Sequence, residues 1–197
     1  MLILVRHGET AANAAHLLQG RADLALDDLG QQQARALRGV DGGASLVVCS
    51  PLLRARQTAA AFRGERAKIV IDERWVEIDY GDLDGRPVAE AWAPLWARWR
   101  DDPDYVPPGG ESLAAVGRRV RAACDELAEA AATGDVVVVT HVSPIKAAVV
   151  WALGVGDEAA WRMFCDPASV TRLTIAERGP VLRSFNEVHH LAALDQG

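Results

Sequence analysis

The sequence predicts an α/β protein, a three-layer α/β/α sandwich around a mainly parallel central sheet with a small helical cap insertion. Three observations carry that expectation. Four short runs, LILV at Leu2–Val5, SLVVCS at Ser45–Ser50, KIVI at Lys68–Ile71 and DVVVVT at Asp135–Thr140, are almost continuously apolar, as strands covered on both faces must be. Segments long enough to be helices lie between them, the order of a βαβ chain. The 197 residues are 50% hydrophobic and 24% charged, which suits one domain with a sizeable core.

Helix boundaries follow from the punctuation. Leu29–Leu37 starts after Asp27-Asp28 and ends near Gly39. Pro51–Phe62 is expected to have Ser50 as N-cap and Pro51 at its first position. Ser112–Ala132 carries a long Ala/Leu/Val face and closes at Gly134. Ser143–Leu153 follows the fourth strand, with Ser143 as cap and Pro144 in the first turn. SVTRLTIAE and PVLRSFNEV alternate in polarity across Arg-Gly-Pro and read as a C-terminal hairpin at the sheet edge. Residues 1–197 are read as one domain, with 74–110 as the cap-like insertion. Within it Trp92, Trp96 and Trp99 share one helical face, which either packs on the domain or roofs a pocket.

Composition excludes several classes of partner. A net charge of −6 argues against nucleic acid or an anionic membrane surface. No apolar run approaches the ~18 residues of a membrane span. The chain enters LILV without a charged leader or cleavage site, so a cytoplasmic location is expected. Cys49, Cys124 and Cys165 lack zinc-binding spacing and read as small core residues in a reducing compartment. No metal is expected.

Open α/β sheets bind ligands beyond the carboxyl ends of their strands. The first strand ends in Arg6-His7-Gly8, and the fourth in Thr140-His141. The second leads through SPLLRARQT to Arg54, and the third through ERWVEIDYG to Glu77. Each residue alone has an ordinary reading as surface charge or structural histidine. Their convergence from four distant segments is what points to a site. Two guanidiniums match phosphate oxygens bidentately. An unprotonated imidazole can attack phosphorus if its other nitrogen is held by a backbone acceptor. Glu77 can give the leaving alcohol its proton. Gly8 lets backbone approach an anion, and the arginines supply the charge stabilisation that metals give other phosphoryl-transfer enzymes. His16, His189 and His190 have no such support.

LVRHGET with Asn13, then QGRAD through Gly30, SPLLRARQTA, EIDYGDLDG, GGES and VVVTH, in this order, resemble the histidine phosphatase superfamily, also called phosphoglycerate-mutase-like. The resemblance runs over nearly the whole chain. It implies that His7 becomes phosphorylated and that Arg6, Arg54 and His141 surround the phosphate. It implies that Asn13 contacts the phosphate, that Gln19 and Gly20 form a loop near the substrate, and that Glu77 is proton donor and then activator of water. No cofactor is implied. Val142 departs from the pattern, since many members have glycine there. Its amide can still face the phosphate, although a positive φ would be costly. Lys146, one turn further on, either adds charge to the pocket or serves at the surface or as a cap, the latter being preferred.

The resemblance implies hydrolysis of a small phosphomonoester, such as a sugar, glycerate or α-ribazole-type phosphate. Tyr80 to Gly85 also resemble the mutases, but no long basic insertion follows. A non-catalytic binding module is the third reading, and the intact set of charged residues argues against it. The helix over 92–99 and the edge of the hairpin leave a homodimer open.

Overall fold

A computed structural model of the chain describes residues 1–40, 43–62 and 67–194, with backbone alone at residues 62, 91–96 and 100. The four apolar runs form β1 (Leu2–Arg6), β2 (Leu46–Cys49), β3 (Lys68–Ile71) and β4 (Val136–Thr140), and the hairpin forms β5 (Val170–Ala176) and β6 (Gly179–Glu187). The helices are α1 (Ala11–Ala14), α2 (Asp28–Ala36), α3 (Leu53–Phe62), α4 (Val88–Asp101), α5 (Leu113–Thr133) and α6 (Val142–Leu153). Short 3-10 turns lie at Glu73–Trp75, Gly81–Leu83, Asp157–Arg162 and His189–Leu191.

The sheet order is β3-β2-β4-β1-β5-β6. β1 to β4 are parallel, and the hairpin adds β5 antiparallel to β1. Side chains alternate across the sheet with period two. Leu2, Leu4, Val136 and Val138 enter a core completed by Val116 and Val120 of α5 and Ile145 of α6. Ile3, Val5, Val137 and Val139 enter a second core with Leu37, Ala55 and Ala59, beside α2 and α3. Burial on both faces is why these strands carry no polar alternation. The chain leaves β1 toward α2 on one face and leaves β4 toward α6 on the other. The adjacent carboxyl ends of β1 and β4 therefore open into a crevice at a topological switch point.

The helix starts differ from expectation, α2 by a single residue at Asp28 and α3 and α6 through their caps. α3 begins at Leu53 rather than Pro51, and the Leu52 carbonyl accepts from the Ala55 and Arg56 amides. The Ser50 hydroxyl is engaged with His141 (2.7 Å). α6 begins at Val142 with His141 as its cap residue, so Ser143 lies inside the first turn. Its free amides are satisfied by the Glu77 carboxylate from another segment, which removes the need for a hydroxyl cap. Val142 is helical and not among the non-glycine residues with positive φ, so the anticipated strain is absent. α5 begins at Leu113 rather than Ser112, and Ser112 caps it, accepting from the Ala115 amide (3.1 Å).

In the segment 74–110, Trp75 and Ile78 lie in the core against α5. Trp99 is buried, with its indole donating to the Tyr105 carbonyl (2.8 Å), so it offers no exposed dimer surface. The side chains of Trp92 and Trp96 lie outside the described residues. Among the described residues, no helix is long and apolar enough to cross a membrane.

Behind the crevice two backbone segments meet without side chains. A Cβ on Gly8 would overlap the Gly30 carbonyl, and a Cβ on Gly30 would overlap the Glu9 carbonyl. Substituting Gly30→Ala is expected to cost about 3 kcal/mol, the upper end of overpacking penalties. Thermal unfolding should register this as a fall of roughly 6–12 °C in Tm.

Candidate active site

The register of β1 on β4 pairs Arg6 with Thr140. The next residue of each strand is a histidine, so His7 and His141 stand side by side with ring centroids 5.0 Å apart. The His7 amide donates to the Thr140 carbonyl (3.0 Å). His7 Nδ1 lies 2.7 Å from the Gly8 carbonyl. A carbonyl only accepts, so Nδ1 carries the proton and Nε2 the lone pair.

Arg54 reaches this lone pair from the first turn of α3, with Nε donating to His7 Nε2 (3.2 Å). Its Nη1 donates to the Ala22 carbonyl and its Nη2 to the Gly20 carbonyl, both at 2.8 Å. That loop is in turn held by Asp84, whose carboxylate accepts from the Gly20 (2.8 Å) and Ala22 (3.2 Å) amides. Gly20 also packs where a Cβ would press on the Ile78 carbonyl. Arg6 Nη1 donates to the Cys165 carbonyl (2.6 Å). Neither Arg6 nor Arg54 has a carboxylate partner among the described residues.

Several polar atoms at this place are unanswered. Arg6 Nε, His141 Nδ1 and Gln19 Nε2 are buried without a hydrogen-bond partner. Ser50 Oγ accepts from the Leu52 amide (3.4 Å) and lies 2.7 Å from His141 Nε2, to which its hydroxyl can donate. His141 Nδ1 is then an N–H donor. An unsatisfied buried donor costs about 1–3 kcal/mol. Three of them in segments that meet at His7, beside two unpaired guanidiniums, describe a pocket built for an anion with several acceptor oxygens.

Glu77 is the buried carboxylate nearby, 4% exposed. Its Oε1 accepts from the Ile78 (2.8 Å) and Ser143 (3.1 Å) amides, and its Oε2 from the Val142 amide (3.1 Å). It is therefore fixed at the positive end of α6. Asn13 is half-buried, with Oδ1 accepting from the Thr10 hydroxyl (3.0 Å).

Two expected backbone contacts are differently used. The Gly8 amide donates to Thr58 Oγ1 (3.1 Å), whose hydroxyl donates to the Arg54 carbonyl. Gly8 is needed for the approach of Gly30 rather than for a free amide. The Val142 amide points at Glu77 rather than at an anion. Sequence reasoning also missed Asp84, Ser50 and Thr58, which position Arg54, His141 and Gly8. Asp84 lay within the quoted EIDYGDLDG run, but its role depends on contact with a loop more than sixty residues away. Lys146 is not at the free surface. It lines a cavity together with Ile78, Val142 and Ser143. Among the described residues no cluster of three or more His, Cys, Asp or Glu side chains could hold a metal.

Electrostatics follow from this packing. Burial, then Arg54 and Arg6, push the His7 imidazole well below its ordinary value. Burial, Arg54, His7 and Arg6 do the same to His141. Burial also lowers Arg54, to about 10, which leaves it charged at neutral pH. A neutral imidazole with an available lone pair thus sits among cations.

Residues 2–188 match the model of the histidine phosphatase superfamily (branch 1). The chain belongs to this superfamily. A bifunctional protein of Mycobacterium tuberculosis is 39% identical over 183 residues, covering 89% of this chain and 50% of that protein. The chain thus spans about half the length of the mycobacterial relatives it matches. Phosphoserine phosphatase 1 of Hydrogenobacter thermophilus is 34% identical, covering 96% of this chain and 93% of that one. The fold superimposes on a phosphoserine phosphatase from Entamoeba histolytica, solved with 3-phosphoglyceric acid, with a TM-score of 0.87 and 27% identity over 96% of this chain and 98% of that one.

In this histidine phosphatase superfamily member, buried neutral histidines make stability depend on pH. The unfolded chain binds protons near pH 6.5, where folded His7 and His141 do not. Stability is therefore full above that pH and falls as pH drops below it, by up to about 1.4 kcal/mol per unit per histidine. His190, lowered by burial, adds in the same direction. Asp72, Glu111 and Glu187 are lowered carboxyls, so their contribution is lost only at more acidic pH. Urea unfolding between pH 7 and 5 should show this slope, and His7→Gln should flatten it.

Proposed function

We propose that the chain hydrolyses small phosphomonoesters through a phosphohistidine on His7. The observation that carries this reading is a neutral imidazole with an available Nε2 between two buried guanidiniums that have no salt-bridge partner among the described residues. The substrate phosphate takes the place these donors leave unanswered, with oxygens on Arg6, Arg54, His141 Nδ1 and the Gln19 and Asn13 amides. Arg54 Nε turns from His7 Nε2 to a phosphate oxygen, which frees the lone pair. Nε2 then attacks phosphorus as the ester P–O bond breaks, and Glu77, acting as general acid, gives the departing oxygen its proton. In the second step Glu77 takes a proton from water, the water oxygen attacks phosphorus, and the N–P bond breaks. Inorganic phosphate leaves and His7 regains its lone pair. Charge stabilisation comes from the two arginines and the imidazole N–H. Relatives named for phosphoserine support a small phosphorylated metabolite as substrate.

Phosphate release from a panel of phosphomonoesters tests this reading. His7→Ala should lower turnover at least roughly 1,000-fold while the protein stays folded. Retention of substantial activity would overturn the phosphohistidine mechanism. Glu77→Gln should lower kcat/KM by roughly 100-fold or more for alkyl esters, and far less for aryl phosphates, whose oxygen leaves without a proton. The parameter kcat/KM isolates the first step, because Glu77 also serves the second. EDTA should leave the wild-type rate unchanged.

A further inference from the structure

A cavity of about 110 Å³ lies beyond the residues that surround Glu77, and Glu77 itself does not line it. Val142, Ser143, Lys146, Ala147 and Val150 form one wall, the i, i+1, i+4, i+5, i+8 face of α6. The amides of the first two hold the Glu77 carboxylate, and Ile78, the residue after Glu77, lines the cavity as well. The far wall is aromatic. Tyr80 and Trp99 lie 6.0 Å apart and Trp99 stacks with Trp161 at 5.9 Å.

Two charged side chains face this apolar space, and they differ in kind. Asp157 is neutralised by a bidentate pair with Arg121 (2.7 and 3.1 Å). Lys146 has no ion pair or hydrogen bond among the described residues. An ammonium beside aromatic and aliphatic walls is costly where Cys165 and Glu77 attract it without forming a salt bridge. The departing oxygen of a substrate must reach Glu77, and the cavity beyond Ile78, Val142 and Ser143 is one space open to the rest of the leaving alcohol.

We infer that this cavity receives the leaving alcohol and that Lys146 recognises a carboxylate on it. The inference rests on the proposed role of Glu77 toward the leaving group. The single unpaired cation matches a monoanion, and no second Lys or Arg among the described lining residues would meet a second phosphate. The small volume suits a short carbon skeleton, since pockets for drug-sized ligands are roughly 300–1,000 Å³. Lys146 is thus a specificity-determining residue. Burial lowers its ammonium below the ordinary value, and a bound carboxylate would restore it.

The test compares esters that differ only in the carboxylate: 3-phosphoglycerate against glycerol 3-phosphate, and phosphoserine against phosphoethanolamine. The wild type should prefer the carboxylated member of each pair by at least about tenfold in kcat/KM, the scale of one charge-assisted hydrogen bond. Lys146→Met should collapse that preference through KM, and Lys146→Arg should keep most of it. A preference that survives Lys146→Met, or equal losses on both members of a pair, would overturn the inference, since a merely structural lysine lowers both alike. Calorimetric binding of 3-phosphoglycerate and glycerol 3-phosphate in the His7→Ala background separates the two proposals. A binding preference that depends on Lys146, with no turnover by the wild type, would sink the hydrolase reading and leave the lysine assignment standing. Absence of that binding preference would sink the lysine assignment whatever the turnover.

Discussion

Two guanidinium groups are buried in this protein with no salt-bridge carboxylate among the described residues, and most of the architecture around them serves to hold them there. Arg54 is fully buried and Arg6 nearly so. Removing such charges from water is costly, and protein carbonyls compensate only in part. The Gly20 and Ala22 carbonyls hold Arg54, Asp84 holds that loop, and the Cys165 carbonyl holds Arg6. The arrangement keeps the arginines in place while leaving their charge for an incoming anion. A carboxylate partner would stabilise the empty fold and cancel the field that the anion needs.

The same economy governs the backbone donors. The carboxylate at this place, Glu77, is given to the amides at the start of α6 instead of to the arginines. This satisfies a helix terminus and fixes the carboxylate at once. It also explains how Val142 stands where glycine is frequent in the family. The position needs a helical amide directed at Glu77, and a valine supplies one. Gly8 and Gly30, by contrast, meet backbone to backbone, and no side chain fits at either. The nucleophile is thus placed by strand register on one side and by a glycine contact on the other.

Much of the fold was legible because it is written in short-range pattern. Leu2–Arg6 and Val136–Thr140 read as strands because both faces are buried and every residue is apolar until the strand ends. Ser112 and Gly134 bracket α5 because capping chemistry is local. The starts of α3 and α6 were misplaced for the complementary reason. Ser50 looks like a cap in sequence, but its hydroxyl is claimed by His141 from a strand ninety residues later. Ser143 looks like a cap until Glu77 arrives to satisfy the same amides.

The site divides along the same line. Residue type and chain order place Arg6, His7 and His141 at strand ends and Arg54 and Glu77 in the segments that follow β2 and β3, because the strand pattern is local and the chemistry of each side chain is intrinsic. Contacts between distant segments decide the rest. They decide that His7 is neutral with its lone pair on Nε2, since burial, two nearby cations and the Gly8 carbonyl do this together. They decide that Asp84 matters and that the Gly8 amide is already engaged. They also move Lys146 from the surface into a cavity. A hydrogen bond or a desolvation depends on distance in space, and separation along the chain carries no information about it until the fold closes.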